Sequence, residues 1–311
     1  MPQPTPFVVA TRGSKLALWQ AHTTRDLLLA ARSGEPVEIL TVESSGDRDQ
    51  KSDLSRFGRT GIFTAEVDNA VISRRAHCGV HSLKDMTTTL PEGLVLAGTL
   101  RRGPREDVLV SRENRKLREL CAGARVATGS VRRIAMLKRV RPDLEIVGMR
   151  GNVDTRLAKL ARGEADAQLM ARAGLERLGL GAHITEVLPH AEFLPAVGQG
   201  IVGITCRAGD DPSLKRIAGI ADENAFVEAL AERALLARLH GGCNAPVGAQ
   251  ANAVDGGLSL SACVLSLDGR ECLEERTAGP VERAAELGAT LAERLIARGA
   301  KRLIEAARSS G

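Results

Sequence analysis

The chain reads as an α/β protein: two lobes with mainly parallel sheets, then a small C-terminal α+β domain. Three observations predict this class. Short apolar strands alternate with helix-period segments, and such alternation implies parallel pairing. Val9-Ala10-Thr11-Arg12-Gly13-Ser14 returns in shortened form as Val126-Ala127-Thr128-Gly129-Ser130, which hints at two lobes built alike. After Asp222 the pattern changes to one long helix, a hairpin and a terminal helical stretch. With 311 residues the chain has room for two or three domains. The expected division is 1–101 with 198–219 as lobe 1, 102–197 as lobe 2, and 220–311 as the C-terminal domain.

Phe7 to Ala10 is a short strand, and Ser14 can cap the helix that follows, where Leu16, Trp19, Leu27 and Ala30 share one face. Val37 to Val42 is the next strand. Ser44 to Thr60 is polar and longer than a normal connection, so it reads as a lid or a disordered loop. Gly61 to Ser73 is helical, and Cys78 to His81 runs into Ser82-Leu83-Lys84-Asp85.

The second lobe repeats this grammar. Arg125 to Ala127 and Leu144 to Met149 are strands, each followed by a polar turn and a helix, Val131 to Val140 and Val153 to Ala161. Asp222 to Leu239 is helical up to the glycines of Gly241-Gly242-Cys243. Leu258 to Leu265 and Arg270 to Glu275 form a hairpin turned by Asp268-Gly269, and helix runs from Val281 to near Arg308.

Composition excludes several classes. A hydrophobic fraction of 43% supports a real core, and no apolar run is long enough to span a membrane. No signal segment is evident, so the expected location is cytoplasmic. The six cysteines form no CxxC pair, which argues against a metal site or a disulfide framework. The net charge of +5 suggests an anionic partner. One Trp, no Tyr and five Phe supply few stacking platforms, so a small carboxylate or phosphate ligand fits better than nucleic acid.

Three turns place arginine at the start of a helix: Arg12, then Arg132 and Arg133, then Arg150 with Arg156 one turn on. A helix N-terminus offers free N–H groups and partial positive charge, and guanidinium turns it into an anion site. Any one such arginine is usually just solvated; three at equivalent turns point to a shared site. Asp85, at a strand exit, either pairs with a neighbouring lysine or holds a developing cation. Cys243 is either a core thiol beside a helix cap or a thiol presented on a loop with room for a planar group. Gly198-Gln199-Gly200-Ile201-Val202-Gly203 matches the dinucleotide fingerprint, but a strand follows it rather than a helix, so close backbone packing or a hinge is expected.

These motifs together resemble the porphobilinogen deaminase family. The resemblance is carried, in order, by Thr11-Arg12-Gly13-Ser14, Leu16 to Ala21, His81-Ser82-Leu83-Lys84-Asp85, Ser130-Val131-Arg132-Arg133, Arg150-Gly151-Asn152-Val153-Asp154-Thr155-Arg156, Leu194 to Gly200 and Gly241-Gly242-Cys243. It covers about Phe7 to Gly248. It implies two periplasmic-binding-protein-like lobes and a transferase of tetrapyrrole (haem) biosynthesis. Four porphobilinogens are joined head to tail, each losing ammonia, and water releases the tetrapyrrole as hydroxymethylbilane. The primer is a dipyrromethane cofactor bound covalently, by a thioether to Cys243.

The resemblance places the catalytic carboxylate at Asp85. It places cofactor contacts at Lys84, Ser130, Arg132, Arg133, Arg150 and Gly242, and substrate contacts at Arg12, Ser14, Arg150, Arg156, Arg177 and Gln199. It implies no metal, no nucleic acid or membrane partner, and a monomer. The chemistry is consistent: each pyrrole carries two carboxylates, so the growing chain needs many arginines. Loss of ammonia leaves a delocalised cation that a carboxylate can stabilise. Cys243 follows a helix C-terminus, whose partial negative charge disfavours thiolate, so it reads as an anchor rather than a catalyst. The chain departs from the family's usual lysines at Arg56, Thr60 and Ala65, and from its usual proline at Thr87.

Overall fold

The computed structural model describes residues 5–31, 35–43, 64–240 and 245–309. The Ser44–Thr60 stretch, Gly242 and Cys243 therefore lie outside the described residues. Two compact units emerge: 1–102 with 201–226, and 103–200 with 227–311.

In chain order, β1 (Phe7–Arg12), α1 (Lys15–Ala31), β2 (Val37–Val42), α2 (Ala65–Ile72), β3 (Cys78–Ser82) and β4 (Leu94–Thr99) begin the first unit. The second unit opens with β5 (Asp107–Ser111), β6 (Arg125–Ala127), α3 (Val131–Val140), β7 (Glu145–Val147), α4 (Val153–Ala161), β8 (Ala167–Ala171), α5 (Arg172–Arg177) and β9 (Glu186–Val187). The chain returns to the first unit with β10 (Val202–Arg207) and α6 (Asp211–Ala218). Then come α7 (Glu223–Arg238), β11 (Val247–Val254), β12 (Gly257–Leu265), β13 (Cys272–Pro280), α8 (Ala284–Ala297) and α9 (Ala300–Ser309).

The expected class is what forms. The first unit's sheet has the order β2-β1-β3-β10-β4, and the second unit's has β7-β6-β8-β5-β9. In each, three neighbouring strands pair in parallel and one strand, β10 or β5, runs antiparallel between β3 and β4 or between β8 and β9. The short likeness between Val9–Ser14 and Val126–Ser130 thus marks equivalent strand-to-helix turns of two sheets with the same order. Both sheets are buried on two faces. In the second, Leu109, Val126 and Leu169 pack on one side and Val108, Ala127 and Met170 on the other. This is why these strands read as continuous apolar runs.

The C-terminal part is an antiparallel sheet, β11-β12-β13, with α8 and α9 closing its own core of Leu258, Leu260, Leu291, Leu295 and Leu303. The hairpin turn at Gly269 lies against α3: a Cβ there would fall 2.3 Å from the Arg139 nitrogen and 2.7 Å from the Ala135 oxygen.

Some expectations need correction. The final helical stretch is not continuous: a 3₁₀ turn at Val281–Arg283 precedes α8, and Gly299, at φ +99°, separates α8 from α9. The second hairpin strand extends to Pro280, and Leu144 to Met149 forms only three residues of strand. The helix expected from Gly61 is described only from Ala65. The sequence reading missed β11, because Val-Gly-Ala-Gln-Ala-Asn-Ala-Val is rich in residues with low strand propensity; packing makes it a strand.

Candidate functional site

In the first unit, the parallel register Val9 to Cys78 and Ala10 to Gly79 carries Arg12 and Ser82 to the same edge of the sheet. Ser14 caps α1: its Oγ accepts the Ala17 N–H at 3.3 Å. A 3₁₀ turn, Leu83–Asp85, follows β3 and is seated by the buried side chains of Leu83 and Met86. The Leu83 N–H donates to the Ile201 carbonyl at 3.0 Å, and Gln20 Nε2 donates to Ser82 Oγ at 2.9 Å. Lys84 and Asp85 are left half-buried at the strand end. Arg12, Ser14, Lys84 and Asp85 are thus brought to one edge of one sheet. His81 sits behind them, buried, with Nε2 3.2 Å from Thr205 Oγ1 and 3.4 Å from Asp68 Oδ1.

The second unit repeats the arrangement. Ser130 caps α3, accepting the Arg133 N–H, and Arg150 lies in the turn before α4. Arg156 reaches back, its Nε donating to the Gly151 carbonyl at 2.8 Å. Arg132 and Arg133 do not project into solvent as helix-terminal arginines commonly do. Both are buried, and both converge on Asp107. Arg132 Nη1 donates to Asp107 Oδ2 at 2.7 Å and to the Leu194 carbonyl at 2.7 Å. Arg133 donates to Asp107 Oδ1 through Nη2 at 2.7 Å and Nε at 3.1 Å. Gln199, also buried, gives Asp107 Oδ1 a further hydrogen bond at 2.9 Å and donates to the Arg105 carbonyl at 2.8 Å.

Asp107 reaches this edge because β5 is antiparallel: its first residue pairs with Ala171, the last of β8. Burial by itself would push the Asp107 carboxyl up. The charges of Arg132 and Arg133, with their hydrogen bonds, instead hold it well below the usual carboxylate range. Two guanidinium groups share one carboxylate, so a positive charge remains buried in excess. Arg132 Nε, also buried, has no hydrogen-bond partner among the described residues. That surplus suits an incoming carboxylate.

Arg177 and the glycine-rich turn are also turned to structure. Arg177 Nη2 donates to the Gly200 carbonyl at 2.7 Å, and burial lowers its pKa to about 10, which leaves it cationic at neutral pH. Gly200 has φ +86°, and a Cβ there would lie 2.6 Å from the Gly103 oxygen. The Gly198–Gly203 stretch is therefore a close backbone crossing that leads into a strand, not a nucleotide loop.

Two residues in this network escaped the sequence reading, Asp107 and Glu232. Asp107 had a signal: an acid directly before the all-apolar Val108-Leu109-Val110 has to be paired once buried. Glu232 had none, being one acid among several on α7. Its carboxylate accepts the Gly198 N–H at 2.7 Å and the Ala251 N–H at 2.8 Å.

Comparison with known proteins decides the family. Residues 7–215 match the family model of the porphobilinogen deaminase dipyrromethane cofactor binding domain, and 226–297 match that of the porphobilinogen deaminase C-terminal domain. The chain belongs to the porphobilinogen deaminase family. A porphobilinogen deaminase of Roseiflexus castenholzii is 44% identical over 298 residues, covering 96% of this chain and 98% of that protein. One of Desulforudis audaxviator is 43% identical over 302 residues, covering 97% and 98%. One of Syntrophobacter fumaroxidans is 39% identical over 297 residues, covering 96% of each. Among solved structures, the BvgS VFT2 domain of Bordetella pertussis gives a TM-score of 0.41 at 17% identity, over 69% of this chain and 85% of that one.

Porphobilinogen deaminase is a transferase of tetrapyrrole biosynthesis, hydroxymethylbilane synthase, and the matched domain is the one that binds dipyrromethane. Among the described residues no helix is long and apolar enough to cross a membrane.

Proposed function

We propose that this chain joins four porphobilinogens head to tail into hydroxymethylbilane, with Asp85 as the catalytic carboxylate and Cys243 as the covalent anchor of dipyrromethane. The observation that carries the residue-level reading is the buried surplus of positive charge around Asp107, beside the start of α3 that Ser130 caps. Such a site fits a ligand made of carboxylate-bearing pyrroles. Dipyrromethane, when bound, supplies a nucleophilic pyrrole carbon at which elongation begins.

The chain's own residues have three tasks. Lys84, Ser130, Arg132, Arg133, Arg150 and the Gly242 backbone hold the cofactor. Arg12, Ser14, Arg150, Arg156 and Arg177 take up the acetate and propionate groups of substrate, through charge-assisted hydrogen bonds, and Gln199, whose amide N–H groups go to Asp107 and the Arg105 carbonyl, serves the substrate site by holding it in shape. Asp85 would accept a hydrogen bond from the pyrrole N–H and stabilise the cation left when ammonia departs, which would lower the barrier to condensation. Its half-buried place at a strand end supports that role, since low local dielectric strengthens a carboxylate's hold on developing charge. Cys243 needs no activation, because it is alkylated once and then serves as a tether that keeps the reacting end in place.

The same proposal includes a division into two lobes and a C-terminal domain, supported by the core that the three-stranded sheet builds with α8 and α9. It also includes a monomeric, cytoplasmic enzyme with no nucleic-acid or membrane partner. Intact-protein mass spectrometry tests it directly. Wild-type protein from cells able to make porphobilinogen is expected to carry the mass of two linked pyrroles, and Cys243→Ser to lack it. Unmodified wild-type protein would overturn the cofactor assignment.

A further inference from the structure

We infer that Asp107 is the positioning residue of the carboxylate site, fixing the Arg132 and Arg133 guanidinium groups before any ligand arrives. This rests on the reading that those two arginines hold the cofactor's carboxylates.

Three features of the geometry point this way. First, one carboxylate serves both arginines: Oδ2 takes Arg132 at 2.7 Å, and Oδ1 takes Arg133 at 2.7 and 3.1 Å. An arginine loses substantial side-chain freedom when it is fixed, and a preformed pair has already lost it before the ligand binds. Second, the charge count is suited to a ligand rather than to a closed core. A single acid between two guanidinium groups keeps both in place yet leaves one positive charge uncompensated, so an incoming carboxylate meets cations that are already desolvated. A second acid would cancel that attraction. Third, Asp107 is itself braced. Gln199 donates to it at 2.9 Å, and the neighbouring Gly198 N–H is held by Glu232 at 2.7 Å. A continuous polar chain thus runs from α7 through the 198–199 turn and Asp107 to the start of α3.

The test follows loading of apo-protein. Protein made in cells unable to form porphobilinogen is incubated with porphobilinogen, and the gain of two linked pyrroles is timed by intact mass. Asp107→Asn keeps the shape but turns an amide N–H₂ toward a guanidinium. Loading is expected to slow about 100-fold, the scale on which small misplacements of binding groups act. The Arg132→Gln/Arg133→Gln double variant is expected to slow at least as much. The triple variant should be no slower than the double, because Asp107 acts only through the arginines.

Wild-type loading in Asp107→Asn, with the arginine double variant slow, would sink the inference and spare the reading beneath it. Wild-type loading in the arginine double variant would sink that reading and the inference with it. A triple variant slower by the product of the two effects would show Asp107 acting independently, against the inference. If Asp107→Asn does not fold, the wild-type apo-protein still decides. ¹⁵N relaxation of the Arg132 and Arg133 Nε–H groups should give order parameters approaching those of rigid backbone amides, about 0.85, without ligand. Mobile guanidinium groups would overturn the inference.

Discussion

Glu232 accepts the backbone N–H of Gly198 at 2.7 Å, so the long helix α7 holds the turn that carries Gln199. The same carboxylate accepts the Ala251 N–H at 2.8 Å, and Glu228, one helical turn earlier, accepts that of Ala253 at 3.1 Å. These are N–H groups of β11, an edge strand of its sheet. An edge strand leaves alternate N–H groups unpaired, and two acids spaced i, i+4 on α7 take them up.

Glu232→Ala leaves the Gly198 and Ala251 N–H groups buried without acceptors. The expected loss is about 2–6 kcal/mol, one to three for each stranded group. Urea unfolding should show a lower midpoint with an unchanged slope.

Asp107→Ala strands two buried guanidinium groups. Removing one partner of such a cluster is expected to cost about 3–5 kcal/mol. The loss depends on pH in a defined direction. The folded-state pKa of Asp107 is lowered, so its contribution is fully present above the unfolded carboxyl pKa of about 3.9 and fades as pH falls below that. The gap in unfolding free energy between wild type and Asp107→Ala should therefore be constant from pH 5 upward and narrow below about pH 4. Urea titrations at a series of pH values measure it.

Gly200→Ala meets two penalties. The φ of +86° disfavours any side chain, and the new Cβ would lie 2.6 Å from a backbone oxygen that cannot swing away. A loss of about 2 kcal/mol or more is expected. Differential scanning calorimetry should show a fall in Tm of several degrees.

Asp85→Asn keeps the size of the side chain and removes the charge. Circular dichroism and Tm should match wild type, while turnover of porphobilinogen falls by at least about 100-fold, the cost of losing one electrostatic stabiliser of a transition state. Near-normal turnover would remove Asp85 from the catalytic role.

What can be read from the chain follows the range of the interactions. Val131–Val140 and Val153–Ala161 were legible to the residue, because caps and helical periodicity are local signals. The glycine stretch at Gly198–Gly203 could be refused as a nucleotide loop, because the β-run after it is also local. Ser14 as an N-cap and Asp85 at a strand exit were legible for the same reason. By contrast, β11 was hidden in an alanine-rich segment whose strand state comes from packing. The lone positive φ of Gly299 splits a helix that periodicity alone would continue.

Local patterns suffice for the alternating α/β class, for the helices that start at Ser14 and Ser130, and for the motif order that belongs to this family. What Arg132, Arg133 and Gln199 touch depends on long-range packing. Asp107 lies 25 and 26 residues from the two arginines and 92 from Gln199. An antiparallel β5 beside β8 brings them together, and no local pattern encodes that pairing. Strand order is set by which apolar faces can be buried at once, and that choice turned helix-terminal arginines into a buried pair on one carboxylate.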